Sequence, residues 1–261
     1  MASQFIWYEL LTSDADAAQR FYIDVVGWTV TASGQPGMDY RMLTAPDGER
    51  VGGLMQLTEQ MRQGGAQPVW LGYISVPDVD AAVKDVETKG GRTQMPPTTI
   101  DGVGRIAMVA DAQGAPFYVM TPTPPAGQPN AKSTAFSRMA VGHCGWNELA
   151  TSQPKEALAF YTGQFGWTDG GTMPMGDAGD SQFINDPDGM IGAVMSSAAG
   201  NRPAMWTYYF RVTDIDAART TAEANGGAVL HGPQEVPGGD FIVIGRDPQG
   251  AMFALVGARR A

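Results

Sequence analysis

The sequence has little cysteine, an excess of acidic over basic residues, and no long hydrophobic run. Cys144 is its single cysteine, which excludes an internal disulfide and any cysteine-based zinc cluster. The 27 acidic residues outnumber the 17 lysines and arginines, so the formal net charge is −10. Phosphate backbones and anionic lipids repel such a chain, and we therefore expect no nucleic-acid or membrane partner. Without an apolar run of about 18 residues, no transmembrane helix is predicted.

The N-terminal stretch MASQFIWYEL lacks both a basic start and a long apolar segment. We therefore predict no signal peptide and a cytoplasmic location. The 261 residues allow one large domain or two ordinary ones, each able to bury its own core.

One part of the sequence occurs twice. The stretch FIWYELLTSD is matched by CGWNELATSQ, and aligning Trp7 with Trp146 gives an offset of 139 residues (146 minus 7). Farther along, WLGYISVPDVDAA matches WTYYFRVTDIDAA, where Trp70 and Trp206 give an offset of 136 (206 minus 70). Insertions and deletions in surface loops produce such small differences. The repeat therefore predicts two similar domains.

A segment rich in proline, glycine and hydroxyl residues separates the two copies. It reads TPTPPAGQPNAKSTAFSR, a composition typical of an extended linker. We predict a first domain over residues 1–122, a linker over 123–138 and a second domain over 139–261. The sequence leaves open whether the chain is a monomer, with its two domains standing in for a dimer, or a homodimer.

Each domain also contains a weaker internal repeat. The strand-like run FIWYELL leads through Ser13 and Asp14, candidate N-caps, into a helix that ends at Gly27. The run WLGYISV leads in the same way through Asp78 into a second helix, which stops at Gly90. Strand-like runs joined at PDG, DAQG, DPDG and DPQG turns follow the helices. The unit is therefore βαβββ, present four times, and it predicts an α+β fold with mixed or antiparallel sheets curled around a cleft and helices outside.

The order of these motifs resembles a known superfamily. W-x-E-L-x-T-S, F-Y, G-W, V-x-D-x-D-A-A and D-x-Q-G occur in this order in both halves. This pattern is similar to that of the vicinal oxygen chelate superfamily, which includes glyoxalases, bleomycin-resistance proteins and extradiol dioxygenases. The resemblance covers nearly the whole chain except the linker and implies two glyoxalase-like domains. It does not decide the function, because this fold carries lyases, dioxygenases, isomerases and purely ligand-binding proteins.

Enzymes of this superfamily hold a divalent metal with four side chains, typically His, Glu or Gln. The matching positions hold Trp7, Gln56, Leu71 and Tyr118 in the first domain and Trp146, Met195 or Ser196, Thr207 and Ala254 in the second. Indole, isobutyl, phenol and methyl groups make no site for a divalent ion, and Gln56 alone cannot hold one. We therefore expect no metal and no other cofactor, with the two tryptophans filling the volume that a metal would take.

A carboxylate is expected beside each of these tryptophans. Side chains two apart on a strand share a face, so Glu9 accompanies Trp7 and Glu148 accompanies Trp146. A carboxylate inside a cleft is costly unless it is paired or partly solvated. It therefore serves either in an ion pair with a cleft arginine or in direct recognition of a ligand. The candidate arginines are Arg105 and Arg41 in the first domain and Arg211 in the second.

Strand alternation extends this cleft on both sides. The predicted ligand-binding residues are Trp7, Glu9, Tyr40, Gln56, Leu71, Tyr73, Arg105 and Tyr118 in the first domain and Trp146, Glu148, Thr207, Tyr209 and Arg211 in the second. An aromatic cleft with a few polar groups is typical of small-molecule sites. The pairing of tryptophan with glutamate suits a flat ligand that carries a cationic or hydroxyl group.

The histidines and the cysteine offer no clear chemistry. Neither His143 nor His231 has a carboxylate or a second histidine at ligand spacing, so both are interpreted as structural or solvent-facing. Cys144 has nothing nearby in sequence that would lower its thiol pKa, and it is interpreted as a small buried thiol.

Three functions remain open. The first is a metal-independent small-molecule binding protein that sequesters, or gives tolerance of, an aromatic or carbonyl compound. The second is a metal-independent enzyme in which Glu9 or Glu148 acts as general base, with Tyr73 or Tyr118 as partner. The third is a metal-dependent lyase or dioxygenase, which the residues at the ligand positions argue against.

Overall fold

The computed structural model describes residues 3–34, 37–128, 131–176, 179–197 and 203–260. Two positions of the predicted linker, Pro129 and Asn130, lie outside these ranges. The elements within them follow the order βαβββ four times, with one short extra helix, so the predicted α+β fold is confirmed. No helix in the described ranges combines the length and the apolar character needed to cross a membrane.

The first repeat contains the first and second βαβββ modules. Its elements are β1 (Phe5–Thr12), α1 (Ala15–Val26), β2 (Thr29–Ala32), β3 (Tyr40–Thr44), β4 (Arg50–Gln56), α2 (Glu59–Gln63), β5 (Val69–Ser75), α3 (Val79–Thr88), β6 (Arg92–Ile100), β7 (Gly104–Ala110) and β8 (Pro116–Pro122). Its strands form one mixed sheet in the order β2-β3-β4-β1-β5-β8-β7-β6.

The second repeat contains the third and fourth modules. Its elements are β9 (Cys144–Thr151), α4 (Pro154–Phe165), β10 (Thr168–Pro174), β11 (Asp180–Asp186), β12 (Gly189–Ser196), β13 (Met205–Arg211), α5 (Ile215–Ala224), β14 (Ala228–Glu235), β15 (Phe241–Arg246) and β16 (Met252–Gly257). Its sheet has the matching order β10-β11-β12-β9-β13-β16-β15-β14.

The helices begin and end largely where the sequence signals predict. The Asp14 carboxylate accepts a hydrogen bond from the Ala17 N–H at 2.9 Å, and Asp78 caps α3 through the Ala81 N–H at 3.1 Å. Helix α1 ends at Gly27, whose φ of 87° is the left-handed conformation that glycine adopts without strain. Helix α4 differs, because it starts with Pro154 and has no side-chain cap.

Packing divides the chain into two compact units, and each unit draws on both repeats. Unit 1 comprises residues 1–6, 72–133 and 147–206, and unit 2 comprises residues 7–71, 134–146 and 207–261. Unit 1 therefore holds most of the second and third modules, with α3 against α4, while unit 2 holds most of the first and fourth, with α1 against α5. The domain boundaries drawn from the repeats, 1–122 and 139–261 with a linker at 123–138, stay a prediction.

Each unit has a buried hydrogen-bonded relay near its helices. A tryptophan indole N–H donates to a tyrosine hydroxyl at 2.9 Å, and that hydroxyl donates to an aspartate at 3.0 Å. The members are Trp70, Tyr22 and Asp247 in unit 2 and Trp206, Tyr161 and Asp111 in unit 1. Both aspartates belong to the D-x-Q-G turns, and burial raises the pKa of each carboxyl above its usual value.

Each unit also holds the segment that precedes the first strand of a repeat. In unit 2 the Trp28 indole N–H donates to the Gly142 carbonyl at 2.6 Å, and in unit 1 Trp167 donates to the Ser3 carbonyl at 2.6 Å. These buried bonds tie residues distant in sequence into one core.

Candidate ligand-binding faces

The strand register of the first module places the predicted cleft residues on one face. Glu9 of β1 lies opposite Gly53 of β4, and Gly53 lies opposite Met42 of β3. Residues opposite one another in a sheet point to the same side, and so do residues two apart on a strand. Trp7, Glu9, Tyr40 and Met42 therefore share a face, which we call the first-module face. The helix α1 lies on the other side of these strands.

Tyr40 lies across this face above a glycine. The Trp7 Nε1–H donates to the Tyr40 hydroxyl at 2.8 Å. A Cβ added to Gly53 would lie 2.0 Å from the Tyr40 Oη and 2.3 Å from its Cζ, so the phenol ring occupies the space that any larger residue would fill. Glu9, only 3 % exposed, comes from the β1 position directly opposite Gly53. The indole and the phenol thus meet above Gly53, and Glu9 belongs to the same face of the sheet.

Sequence reasoning missed Gly53, although a signal was present. A glycine inside a strand often marks a place where another group approaches the backbone closely, and the VGGLMQ run contains two. Gly52 faces the other way, where its Cβ would lie 2.2 Å from the Tyr8 carbonyl oxygen. Only the register between the strands shows which of the two glycines faces Tyr40 and which faces the Tyr8 carbonyl.

Gln56 does not lie in the cleft, contrary to expectation. Gln56 lies opposite Thr12 in the sheet. Thr12 points to the side of β1 opposite Glu9 and Leu11, so the Gln56 side chain faces α1. Its Oε1 accepts a hydrogen bond from the Ala15 N–H at 2.8 Å, and its Nε2 donates to the Ser13 carbonyl at 2.8 Å. The amide therefore satisfies the start of α1 and is unavailable as a metal ligand.

Arg105 and Arg41 are also corrected, because both guanidinium groups face helices. Arg105 forms a two-pronged ion pair with Asp80 of α3, with distances of 2.6 and 2.7 Å. Arg41 pairs with Asp39 and with Asp16 of α1, each at 2.7 Å. Neither arginine therefore lies on the same side of its sheet as the tryptophan and glutamate of the first module. The expectation of a cleft ion pair with Glu9 fails for both.

The second module presents two stacked tyrosines. Tyr73 of β5 lies opposite Tyr118 of β8, and their rings stack with centroids 4.2 Å apart and planes inclined by 14°. Both side chains are buried. Leu71, two residues before Tyr73, is on the same side of β5 and is fully buried. Leu71, Tyr73 and Ser75 therefore lie on the same side of β5.

In unit 2 the ring of Trp146 packs on the fourth module. It contacts the buried cluster of Tyr209, Ala254 and Val256, together with Ile242 and Ile244. Tyr209 lies opposite Ala254 in the sheet, and Thr207 lies two residues earlier on the same side of β13. Hydrophobic side chains thus lie against the ring of Trp146, and the Trp7 indole donates to the Tyr40 hydroxyl.

The third module carries the second predicted carboxylate. Glu148 of β9 lies opposite Ala193 of β12, and Ala193 lies opposite Phe183 of β11. Glu148 is half-buried. The expected partner, Arg211, is instead paired with Asp240 and also donates from its Nε to the Arg138 carbonyl at 2.6 Å. That pairing spans 29 residues of sequence and carries no local signal.

The histidines and the cysteine agree with their structural interpretation. His143 is 2 % exposed, with its Nδ1 2.6 Å from the Thr134 carbonyl and its Nε2 2.9 Å from the Asp47 carboxylate. Burial raises the pKa of the Cys144 thiol to about 12, and the thiol donates to the Trp146 carbonyl at 3.2 Å. His231 is exposed on β14 and contacts the side chain of Gln234. None of the three approaches a metal-binding arrangement.

The residues at the superfamily's metal-ligand positions do not fit a divalent ion. Within the described ranges no group of three or more histidine, cysteine, aspartate or glutamate side chains is arranged to hold a metal. The one amide among these positions, Gln56, is committed to the N-terminus of α1.

Comparison with known proteins agrees with this fold. A family model described as Glyoxalase/Bleomycin resistance protein/Dioxygenase superfamily matches residues 4–118 and 140–255. Since those two regions cover most of the sequence, the chain belongs to this superfamily. The resemblance inferred from the sequence motifs is thereby confirmed.

Relatives and solved structures cover nearly the whole chain. A putative glyoxylase, CFP32, from Mycobacterium bovis is 34% identical over 253 residues, 96% of this chain and 93% of that protein. The anthracycline biosynthesis protein DauV from Streptomyces sp. strain C5 is 31% identical over 265 residues, 98% of this chain and 93% of that protein. Homoprotocatechuate 2,3-dioxygenase from Arthrobacter globiformis superposes with a TM-score of 0.66 at 17% identity, covering 98% of this chain and 80% of that chain. That structural likeness shows the fold alone.

Proposed function

We propose that this protein binds a small planar molecule without the help of a metal ion. The observation that carries the proposal is the first-module face, where the Trp7 indole donates to the Tyr40 phenol above Gly53 and Glu9 lies opposite that glycine on the same face. An apolar, aromatic surface with a few placed polar groups is the usual composition of a ligand site. The absence of ligating side chains at the metal positions supports a binding mode that relies on stacking and hydrogen bonds.

The expected ligand is flat and carries a hydroxyl or amino group. Tryptophan offers a ring face for stacking, and a carboxylate accepts hydrogen bonds or attracts a cation. A second anion would meet repulsion and further desolvation at Glu9, so matched carboxylates should bind less well. The name of one relative, an anthracycline biosynthesis protein, is consistent with an aromatic ligand. Sequestration or tolerance of an aromatic or carbonyl compound is the role that we propose.

Metal content and ligand preference test this proposal. Protein purified without a chelating tag should contain far less than one Zn, Fe, Ni or Mn per chain after dialysis, and adding these ions should produce no glyoxalase activity. The intact protein should bind 2-naphthol more tightly than 2-naphthoate, with quenching of tryptophan fluorescence. Stoichiometric metal that survives dialysis, or failure to bind any planar probe, would contradict the proposal.

Replacing Glu9 separates ligand recognition from structural support. Glu9→Gln should reduce the preference for 2-naphthol over 2-naphthoate about tenfold, because a neutral amide no longer repels the carboxylate. Glu156→Gln, on the exposed surface of α4, is the matched control and should change nothing. If Glu9→Gln lowers the melting temperature while the ligand preference stays unchanged, the carboxylate is structural.

A second candidate function is a metal-independent enzyme with Glu9 or Glu148 as general base. The burial of Glu9 favours it, since carboxylates that act as general bases often lie in sites shielded from water. Incubating metal-free protein with carbonyl compounds and following products by NMR tests this role. Turnover that disappears in Glu9→Gln or Glu148→Gln while ligand binding persists would establish an enzyme.

The partner and location belong to the same proposal. With a net charge of −10, we propose a small molecule as partner, without nucleic acid or membrane, and a cytoplasmic location. Cell fractionation and light scattering would test the location and distinguish a monomer from a homodimer.

A further inference from the structure

The two residues that precede β1 and the two that precede β9 have equivalent main-chain contacts in their units. We call them the entry pairs: Ser3 and Gln4 in unit 1, Gly142 and His143 in unit 2. The carbonyl of the first member of each pair accepts a tryptophan indole N–H at 2.6 Å. The carbonyl of the second accepts a backbone N–H at 2.8 Å, from Ser75 in unit 1 and from Arg211 in unit 2. The backbone of the entry pair is therefore bound in the same way in both units.

In unit 1 the side chain of the entry pair binds two aspartates of a turn. The Gln4 Nε2 donates to Asp186 at 3.1 Å and to Asp188 at 2.7 Å. An amide NH2 group has two protons that it does not lose in the pH range in which proteins are folded. These bonds therefore need no particular protonation state of Gln4.

In unit 2 the corresponding side chain is an imidazole between two acceptors. The His143 Nδ1 lies 2.6 Å from the Thr134 carbonyl oxygen, which can only accept. The Nε2 lies 2.9 Å from the Asp47 carboxylate. The bond from the Glu49 N–H and then the contact with the ring lower the pKa of Asp47, so this carboxyl is ionised at neutral pH and also only accepts.

A neutral imidazole cannot satisfy both of these acceptors. It carries one N–H and one bare nitrogen, so a ring that donates from Nδ1 to Thr134 would direct the Nε2 lone pair at a carboxylate oxygen. The observed geometry is satisfied when His143 carries both protons, and the bond to Asp47 is then charge-assisted.

The surroundings of His143 leave Asp47 as the group that holds the second ring proton. The ring is 2 % exposed, whereas the Asp47 side chain is 47 % exposed, so the proton between them can exchange with solvent. The other charged side chains on the neighbouring elements have partners of their own: Glu49 accepts from the Thr134 hydroxyl at 2.9 Å, and Arg211 pairs with Asp240 and donates to the Arg138 carbonyl at 2.6 Å.

We propose that His143 is a pH-sensitive switch in unit 2, which binds the β3–β4 turn while its ring carries two protons and releases that turn when the ring loses one. Histidine ordinarily changes its charge between about pH 5 and about pH 8. The bond therefore exists at pH values above the ionisation of Asp47 and is lost as the pH rises through the deprotonation of the ring. Since the same entry pair binds Trp28 of the first module and Arg211 of the fourth, release weakens the link between these modules.

Hydrogen exchange at two matched amides tests the switch. The Ser75 N–H is bound to the Gln4 carbonyl and the Arg211 N–H to the His143 carbonyl, both at 2.8 Å. Between about pH 5.5 and about pH 8.5 the protection factor of Arg211 should fall about tenfold relative to that of Ser75, because the neutral ring loses a charge-assisted bond. A ratio of protection factors that stays constant over this range would overturn the proposal.

Two substitutions should remove this pH dependence by different routes. His143→Gln introduces the amide that unit 1 has at Gln4, and Asp47→Asn offers the neutral ring an amide N–H in place of a carboxylate. In each variant the ratio should change by less than about twofold over the same range. If His143→Gln fails to fold, Asp47→Asn, a change in a half-exposed turn residue, decides the test.

The second histidine of the chain provides the matched control. His231 is exposed on β14, and the chain has two histidines in all, so His231→Gln should keep the full pH dependence. A dependence that persists in Asp47→Asn, or that disappears in His231→Gln, would show that the His143–Asp47 pair is not the switch.

Nitrogen-15 NMR of the imidazole gives a measurement that does not depend on exchange rates. The His143 signals are assigned by their loss in His143→Gln. As the pH rises, the Nε2 proton should be lost first, while the Nδ1 proton, bound to the Thr134 carbonyl, is retained. A ring that carries a single proton throughout the range, or that loses the Nδ1 proton first, would overturn the proposal. Neither measurement involves a ligand, so its failure leaves the proposed function unaffected.

Discussion

In unit 2 the Trp70–Tyr22–Asp247 relay has donor–acceptor distances of 2.9 and 3.0 Å, and in unit 1 the Trp206–Tyr161–Asp111 relay has the same two distances. The faces away from the helices show no such agreement. Gly53 and Tyr40 of the first repeat correspond to Ala193 and Ser181 of the second. The buried framework is thus duplicated, while the residues opposite the two glutamates differ between the repeats.

This contrast distinguishes positions that both repeats share in their buried cores from positions at which the repeats differ. The relay contacts, which both repeats retain, are buried in each unit, and we expect them to stabilise its packing. A residue that differs at an otherwise equivalent position does not share that role. Gly53 and Tyr40 are therefore candidates for a role specific to the first repeat, whereas the buried tryptophans near the helices belong to the shared packing.

The largest effect is expected at the glycines that both repeats share. A Cβ on Gly52 would lie 2.2 Å from the Tyr8 carbonyl oxygen, and one on Gly192 would lie 1.9 Å from that of Asn147. Because a backbone group cannot move aside without breaking the sheet, Gly52→Ala and Gly192→Ala should each cost more than about 4 kcal/mol. Urea denaturation and soluble yield measure this loss. A mild effect of either substitution would show that the two strand pairs are not equivalent.

A smaller and equal effect is expected from the two relays. Tyr22→Phe and Tyr161→Phe each remove a buried hydroxyl, leaving an indole N–H and an aspartate oxygen without that partner. Each should lower the free energy of unfolding by about 1–3 kcal/mol. Chemical denaturation of the single and double variants should give values within about 0.5 kcal/mol of each other and nearly additive losses. A large difference between the two would contradict the duplicated framework.

The smallest effect concerns the turn carboxylates, where the two units use different partners. In unit 2 Asp47 accepts from the Glu49 N–H and lies 2.9 Å from the His143 ring, whereas in unit 1 Asp188 accepts from the Gln4 amide at 2.7 Å. The bond from the Glu49 backbone and then that to His143 lower the pKa of Asp47 below its usual value. A carboxyl whose pKa is lowered by folding stabilises the folded state at pH values above its pKa in the unfolded chain, about 4. This contribution disappears as the pH falls through the pKa that the carboxyl has in the folded state.

Asp47→Asn should therefore lower stability at pH 7 by less than about 1 kcal/mol, given the half-exposed side chain, and by almost nothing near pH 2. Melting temperatures of the variant and the intact protein across this range measure the difference. A penalty that stays constant with pH would mean that the charge of Asp47 does not contribute.

Several features followed from local sequence because their causes are local. The N-caps Asp14 and Asp78 and the stop at Gly27 depend on neighbouring backbone groups, and the structure confirms them. The four βαβββ modules followed from strand and helix periodicity together with the repeat. Alternation along β1 placed Trp7 and Glu9 on one side, since two residues apart on a strand need no knowledge of the partner strand.

Other features required the register between strands. The sequence predicts Gln56 at a metal-ligand position and Arg41 or Arg105 as cleft arginines, but a shift of one residue moves a side chain to the other face of a strand. The role of Gly53 also depends on the pairing of β3 with β4, which the sequence does not show. In that pairing Tyr40 lies opposite Met55, two residues after Gly53. Arg211 forms its ion pair with Asp240 because segments distant in sequence pack together, and no local sequence pattern predicts this pair.

The sequence alone thus determined the repeats, the superfamily and most of the helix boundaries, because each depends on residue type and short spacing. The tertiary structure decided which modules share a compact unit, which side each polar residue faces and which groups meet above Gly53. These depend on contacts between residues that lie far apart in the chain, such as Trp28 with Gly142 and Tyr22 with Asp247. Such contacts form only when whole strands and helices pack together, and no spacing within one segment encodes them.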